Sequence, residues 1–360
     1  VENKYEIVKH GIKESIISEG YKVSDKLPTE SELMEQYHVS RYTIRRAIGE
    51  LQNEHYVYRI QGGGMFVDDW QKERATHVNN KMIGIITTHI ADYIFPNIIS
   101  GIDRIISANG YSIIISNTHN NHQKERQSLI RMLDNNVEAL IIEPTQSALN
   151  NPNMDLYQKI KEAKIPTLFI NAYYPELDFP HIGTADSDAE EKLTEYLLDQ
   201  GHEKVLGVFQ VDDIQGVHRM NGFVHAYLNH PEISYLSEIV MYQSSDEMAK
   251  IFEKIAKIFT REDRPTAIAC YNDQLAIQLM DLIRSIGLRV PEDVSVVGFD
   301  DYQLSKYIDP SLTTVEHAKG KMGIDAGKML IKMINHEEIE SIEYQPEMII
   351  RKSTKARDNK

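Results

Sequence analysis

Two hydrophobic rhythms divide the chain. Over residues 1–27, Tyr5, Ile7, Val8, Ile12, Ile16 and Ile17 recur at helical spacing and predict an amphipathic helix that Gly20 ends. Leu33, Met34 and Tyr37 then share one helical face, while Glu30, Ser31, Glu32, Glu35 and Gln36 fill the others. Thr29 is placed to cap that second helix, Glu32 completes a capping box three residues on, and Pro28 stiffens the entry. His38-Val39-Ser40 breaks the pattern. Val39 is expected to plug the angle between two helices, and Ser40 to cap the third, over 41–53. That helix buries Ile44, Ala47, Ile48 and Leu51 and turns Arg41, Tyr42, Thr43, Arg45 and Arg46 outward at its N-terminal end. The alternating Val57-Tyr58-Arg59-Ile60, the run Gln61-Gly62-Gly63-Gly64 and the apolar Met65-Phe66-Val67 predict a small hairpin. Its glycines allow positive φ and a close approach of backbone to a partner.

From Asp68 to Lys81 the sequence is polar and without period, so residues 69–81 are expected to be a linker between a domain at 1–68 and a second at 82–360. Beyond it, short apolar runs at Met82–Thr87, Ser112–Ile115, Ala139–Ile142 and Thr167–Ile170 alternate with helical patterns around 98–109, 123–135 and 154–163. A second set follows at Val205–Phe209, Ile239–Met241, Ala267–Cys270 and Val294–Phe299. These read as buried parallel strands in two successive doubly wound sheets. The fold class expected is therefore α/β: a winged helix-turn-helix followed by a two-lobed domain with a cleft. Ligands of such sheets bind beyond the carboxyl ends of the strands.

Composition narrows the choices. Hydrophobic residues make up 41% of the 360 positions, enough for a small core and a large one. No apolar run reaches membrane-spanning length and residues 1–20 carry charges throughout, so neither a transmembrane helix nor a signal peptide is expected, and a cytoplasmic location is. The lone Cys270 excludes an internal disulfide and a cysteine metal site. A net charge of −15 argues against indiscriminate coating of nucleic acid, yet Arg41, Arg45, Arg46 and Arg59 cluster in the winged segment. Contact with DNA must then be local and weak for one chain, which a homodimer spanning two half-sites would remedy.

In helix-turn-helix docking, the first turns of the second helix of the motif enter the major groove, where arginine forks onto guanine. Arg45 and Arg46 are the best candidates for reading bases, with Ser40, Thr43 and the helix N-terminus able to hold phosphate oxygens. At the strand ends of the large domain stand Tyr93, Phe95, Glu143, Asn171, Arg219, Asn272, Asp273, Asp300, Asp301 and His317. Carboxylates, amides, one guanidinium and aromatic faces are what a sugar needs, since each hydroxyl both donates and accepts and the C–H face stacks on a ring. Singly, each residue has a plainer reading: a helix cap for an aspartate, a turn for Asn272, a structural role for a histidine. A phosphate ligand would favour more lysine or arginine in the cleft than Arg219. Enzyme motifs such as G-x-S-x-G and H-E-x-x-H are absent, and Gly323–Lys328 is one residue short of a Walker A loop and is followed by Met329. The expectation is a non-enzyme without cofactor or metal.

Pro28 to Val67, with P-T-E-S-E-L, V-S-R-Y-T-I-R-R-A-I and Q-G-G-G-M-F-V, resembles the GntR family signature. The resemblance implies DNA contacts by Arg41, Tyr42, Arg45 and Arg46 on the recognition helix and by Gln61, Gly62 and Gly63 at the wing tip, with Lys4 and Glu30 where family members also meet DNA. Lys81 to about Arg351 resembles the LacI family effector domain and the periplasmic sugar-binding proteins, through I-G-I-I-T-T-H-I, R-M-N-G-F, C-Y-N-D, V-P-E-D-V-S-V-V-G-F-D-D and L-T-T-V. By position, Arg219, Asn272, Asp300 and His317 match that family's ligand contacts, Phe95 a stacking aromatic, and Asn171 a usual Asp. Ala172 departs from a frequent Arg, and Y-I-F-P at 93–96 is distinctive. The rare joining of the two resembles the arabinose-responsive repressors of Gram-positive bacteria, which implies L-arabinose as effector. Strand-end chemistry alone says only a small polyol, and a sensor of another sugar, a sugar phosphate or a purine is the alternative.

Overall fold

The computed structural model describes residues 4–18, 21–60, 63–69, 81–91 and 93–357; Gly20, Gln61, Gly62 and linker positions 70–80 lie outside the described residues. The chain divides into two compact units, one of Val1–Lys81 with Leu129–Glu138 and Asn153–Lys164, the other of Met82–Ser128, Ala139–Pro152 and Ile165–Lys360.

In the first unit, α1 (Lys4–Ser18) buries Val8, Ile12, Ile16 and Ile17, while Ile7, expected in the stripe, is half exposed. Helix α2 (Glu30–Tyr37) carries the reciprocal capping box: the Thr29 hydroxyl accepts from the Glu32 amide, and the Glu32 carboxylate from the Thr29 amide at 2.7 Å. His38 closes α2 in the left-handed region, φ 51°, which aims the chain into the turn. Ser40 accepts from the Thr43 amide and starts α3 (Arg41–Asn53), whose buried face is Ile44, Ala47, Ile48 and Leu51. Strands β1 (Val57–Ile60) and β2 (Gly64–Val67) pair antiparallel, Val57 opposite Val67. Gly64 enters the returning strand at φ 115°, a conformation that favours glycine.

In the rest of the chain the elements run β3 (Met82–Thr87), α4 (Phe95–Ala108), β4 (Ser112–Asn117), α5 (His122–Asp134), β5 (Ala139–Ile142), α6 (Met154–Glu162), β6 (Thr167–Ile170), β7 (His181–Thr184) and α7 (Asp186–Asp199). The second lobe continues with β8 (Val205–Gln210), α8 (Ile214–Leu228), β9 (Glu238–Tyr242), α9 (Met248–Phe259), β10 (Ala267–Cys270), α10 (Asp273–Ser285), β11 (Ser295–Val297) and β12 (Thr314–Val315). Helix α11 (Lys319–Ile334), β13 (Ile342–Tyr344) and β14 (Met348–Ile349) complete the order. A six-stranded sheet has the order β13-β7-β6-β5-β3-β4, a four-stranded one β11-β10-β8-β9, and β12 pairs with β14.

The two sheets are therefore not successive in sequence, as the strand rhythm had suggested. After building the second lobe the chain returns to the first, adding β13 beside β7 in parallel register, Ile342 opposite Ile182. Helix α11 joins α4 there because glycines let the two backbones touch. A Cβ on Gly323 would lie 2.2 Å from the Ile98 carbonyl, and one on Gly101 would lie 2.9 Å from Gly323 Cα. Strands β4 and β9, expected to be buried, are sheet edges with partly exposed side chains. Among the described residues no helix is long and apolar enough to cross a membrane.

Candidate functional site

On the winged unit the first turn of α3 stands open: Arg41 is exposed and the Tyr42 side chain is 76% accessible. Arg45 reaches sideways to α2, where Glu30 accepts from its Nε at 3.0 Å. The same carboxylate accepts from Arg59 Nη2 of β1 at 3.1 Å, so Glu30 ties the recognition helix to the wing. Arg46, equally ranked with Arg45 in the sequence, is placed differently: its guanidinium lies over the Tyr5 ring of α1, 3.8 Å from the centroid. Thr43 Oγ1 is 2.9 Å from Ser40 Oγ. Lys4 is exposed at the start of α1 and Gly63 sits in the wing turn; Gln61 and Gly62 fall outside the described residues. Lys26, not singled out in the sequence, is exposed and bridges to Phe66 beside the wing. No local pattern marked it, because the bridge joins it to a strand forty positions later.

Between the two sheets lies a cavity of about 450 Å³, lined by both lobes. Its charged centre is Arg219 on α8, whose side chain is only 2% exposed. Arg219 donates from Nε to Asp186 at 2.8 Å, from Nη1 to the Tyr271 carbonyl at 2.6 Å and from Nη2 to Asp300 at 3.2 Å. Its guanidinium lies 3.7 Å from the centroid of Phe299. Burial works against the charge, but Asp186 and Asp300 outweigh it and hold Arg219 above its ordinary pKa. Asp186 at the start of α7 is pushed by burial up to about 6, although Arg219 pulls it down. Asp300 occupies φ 98°, a conformation that favours glycine, and is held there by Arg219 and by the Tyr93 hydroxyl, which donates to it at 2.6 Å. A carboxylate kept in so sparse a backbone region is typical of a binding site.

From the other lobe, Glu143 projects at the end of β5. It accepts from the Thr88 amide at 2.9 Å, from the Thr88 hydroxyl, and from Asn171 Nδ2 at 3.1 Å. Burial raises it to about 7 against those donors. Phe95 begins α4 and lines the cleft while most of its ring is packed in the core. Asn272 lines the cleft too, yet its Oδ1 caps α10 by accepting from the Leu275 amide at 2.9 Å, the plainer of its two readings.

Two residues expected as ligand contacts stand behind the cleft wall. Asp273 does not line the cleft: fully buried, it accepts from Ser305 Oγ at 2.6 Å, Thr314 Oγ1 at 2.5 Å and the Tyr302 amide at 2.7 Å, bolting α10 to the segment after β11 and to β12. His317 is also absent from the cleft lining; its Nε2 lies 3.2 Å from Asn171 Oδ1, so it meets the cleft through Asn171. Residues the sequence reading passed over complete the cleft. Asp213 after β8, raised by burial to about 6, accepts from the Tyr271 hydroxyl at 2.8 Å while capping α8. Asn120 after β4 donates to Ser244 Oγ at 3.0 Å, and the Ile214 amide to Ser147 Oγ at 2.9 Å, so polar bonds cross from lobe to lobe. The D-I-Q-G start of α8 was a readable cap for Asp213; Asn120 carried no signal beyond its place after a strand. Among the described residues no group of side chains is arranged to hold a metal. The cleft offers acceptors, amide and guanidinium donors and aromatic edges, which suits a neutral polyhydroxylated molecule.

Comparison with known proteins agrees with both parts. The family described as bacterial regulatory proteins, gntR family, matches residues 4–67, and the periplasmic binding protein-like domain matches residues 194–354. A protein named arabinose metabolism transcriptional repressor from Halalkalibacterium halodurans is 42% identical, over 98% of this chain and 97% of its own. The chain belongs to the family of arabinose metabolism transcriptional repressors. Its relative of the same name from Geobacillus stearothermophilus is 41% identical over 98% of each chain. Among solved structures, the transcription regulator CcpA of Lactococcus lactis superposes with a TM-score of 0.66 at 22% identity, over 76% of this chain and 99% of that one, a likeness of fold. The fold of this repressor family is thus an N-terminal GntR-type winged helix joined to a LacI-type effector domain of parallel sheets, and its members are regulators of transcription.

Proposed function

We propose that the chain represses transcription by binding operator DNA as a homodimer and that L-arabinose, taken into the cleft, releases it. Residues 1–68 read the DNA, 69–81 link, and 82–360 bind the effector and dimerise. Arg41, Tyr42, Thr43 and Arg45 meet the duplex from α3, Arg46 and Lys4 approach from beside α1, Gln61, Gly62 and Gly63 contact it as well, and Glu30 stands at the same contact and sets the angle of Arg45. In the cleft Arg219 and Asp300 on one side and Tyr93, Glu143 and Asn171 on the other grip the hydroxyls, with Phe95 and Asn272 at the edge. Asp273 and His317 position these groups. As a reader of bacterial DNA it works in the cytoplasm, and it needs no catalytic group.

The observation that carries this reading is the polar arrangement across the cleft. The donors and acceptors of Arg219 and Asp300 come from one lobe, those of Glu143 and Asn171 from the other. A polyol bound to both draws the lobes together, and that gives it the differential affinity for one conformation without which no ligand shifts an equilibrium. The relatives' name supports arabinose as the sugar. The experiment is a titration of the full chain on its own promoter DNA at one stated salt concentration, with L-arabinose, ribose, xylose or none. Release by L-arabinose alone is the expected result. DNA affinity indifferent to saturating L-arabinose defeats the effector assignment, and absence of specific binding defeats the repressor reading.

A further inference from the structure

We propose a second small-molecule site, separate from the cleft, that takes a small polyol bearing one anionic group. A cavity of about 830 Å³ opens at the carboxyl ends of β7 and β13, beside the N-terminus of α11. Ligand sites in open α/β sheets lie at that end of the strands. Two of the residues that line it are buried and carry polar side-chain atoms with no hydrogen-bond partner, the Thr184 hydroxyl and His317 Nδ1. Their residues are only 6% and 4% exposed. An unmet buried polar atom costs stability and calls for a reason.

The hydrogen-bond chain fixes what His317 asks for. Asn171 donates its amide to Glu143 and so turns its oxygen to His317, whose Nε2 must carry the proton. Burial keeps the ring neutral, its pKa lowered to about 4. Nδ1 is therefore a bare acceptor, and a ligand hydroxyl satisfies it. The other end of the cavity asks for negative charge. No side chain caps α11, its first turn has no acidic residue, and it carries Lys319 and Lys321, against the usual preference of a helix dipole. Lys319 is spent on the carbonyls of Asp300 and Asp301, whereas the exposed Lys321 lies over the Tyr344 ring, 4.8 Å from its centroid. Of the lining carboxylates, Asp325 accepts from the Tyr344 hydroxyl at 2.7 Å, and Glu316 and Glu343 are exposed to water. Occupancy would complete a chain from the ligand through His317 and Asn171 to Glu143, coupling this site to the cleft.

The test is calorimetric titration of the full chain with glycerol 3-phosphate and with glycerate, as phosphate and carboxylate probes, and with glycerol as the uncharged control. Saturable binding of at least one charged probe and none of glycerol is expected, and the probe that binds decides between phosphate and carboxylate. Thr184→Val and Lys321→Glu should each weaken it about tenfold, while Gln215→Ala in the cleft leaves it unchanged. Thr184→Val keeps the shape of the side chain and removes an unmet hydroxyl, so its melting temperature should be no lower than the parent's, which separates lost binding from lost folding. No saturable binding of either charged probe, or binding that survives both pocket variants, overturns the proposal.

Discussion

Replacing Arg219 with methionine tests the electrostatic account of the cleft. The arginine is fully enclosed and balances two buried carboxylates, at 2.8 Å and 3.2 Å. Removing one partner of a buried ion pair costs about 3 to 5 kcal/mol, because the other is left charged without compensation. Asp186 has one escape, which is to take up a proton. Asp186 already sits near 6 with the arginine present, and losing it raises that value further, at about 1.4 kcal/mol per pK unit. A carboxyl group whose folded pKa exceeds its unfolded value stabilises below the unfolded pKa, and this contribution is lost as pH rises through the folded one. The gap between Arg219→Met and the parent should therefore be small near about pH 5 and approach its full size near about pH 8. The assay is urea unfolding of the full chain followed by circular dichroism at both pH values. Adding Asp186→Asn should return part of the loss, since the two groups are in contact and their effects are not additive. A cost that is the same at both pH values, together with an additive double variant, would refute the reasoning.

Three further outcomes follow from the same geometry. Arg45→Ala should weaken operator binding by about 1 to 3 kcal/mol and relax the preference at one base pair; equal loss on every sequence, read by fluorescence anisotropy, assigns Arg45 to phosphate. Glu30→Gln frees Arg45 and Arg59 from an exposed ion pair, so it should change stability by less than about 1 kcal/mol. In a salt titration it should bind random DNA more tightly and with a steeper salt slope. Glu143, with a folded pKa raised to about 7, stabilises the protein at acid pH and loses that contribution as pH climbs through neutrality; Glu143→Gln should flatten the fall in melting temperature from about pH 6 to 8.

How much of this was legible depends on how local the cause is. The winged unit is written in neighbours: Thr29 and Glu32 meet within one turn, and Ile44, Ala47, Ile48 and Leu51 repeat at helical spacing, so α2, α3 and the hairpin are readable residue by residue. Strand β13 is not, since three residues, Glu343 exposed between two half-buried ones, are too short a run to show a period and become a strand only beside β7. Its partner β7, between β13 and β6, alternates over only four residues, too short a run to stand out in the sequence.

The cleft shows the sharper limit. The strand-end rule selects positions along the chain, but a side chain's direction is set by what surrounds it. Asn272 and Asp273 are adjacent at the start of α10. One lines the cleft while capping the helix, and the other turns inward because Ser305, Thr314 and the Tyr302 amide give it three donors from segments that are distant in sequence. Likewise Arg219 was marked by its place after a strand and by resemblance, whereas Asp186, on another helix thirty-three positions earlier, was not. Only the pair explains why a buried guanidinium is tolerated at all. A residue type at a strand end therefore says which chemistry is available, and the partners brought by the return of the chain decide whether that chemistry faces the ligand or holds the wall behind it.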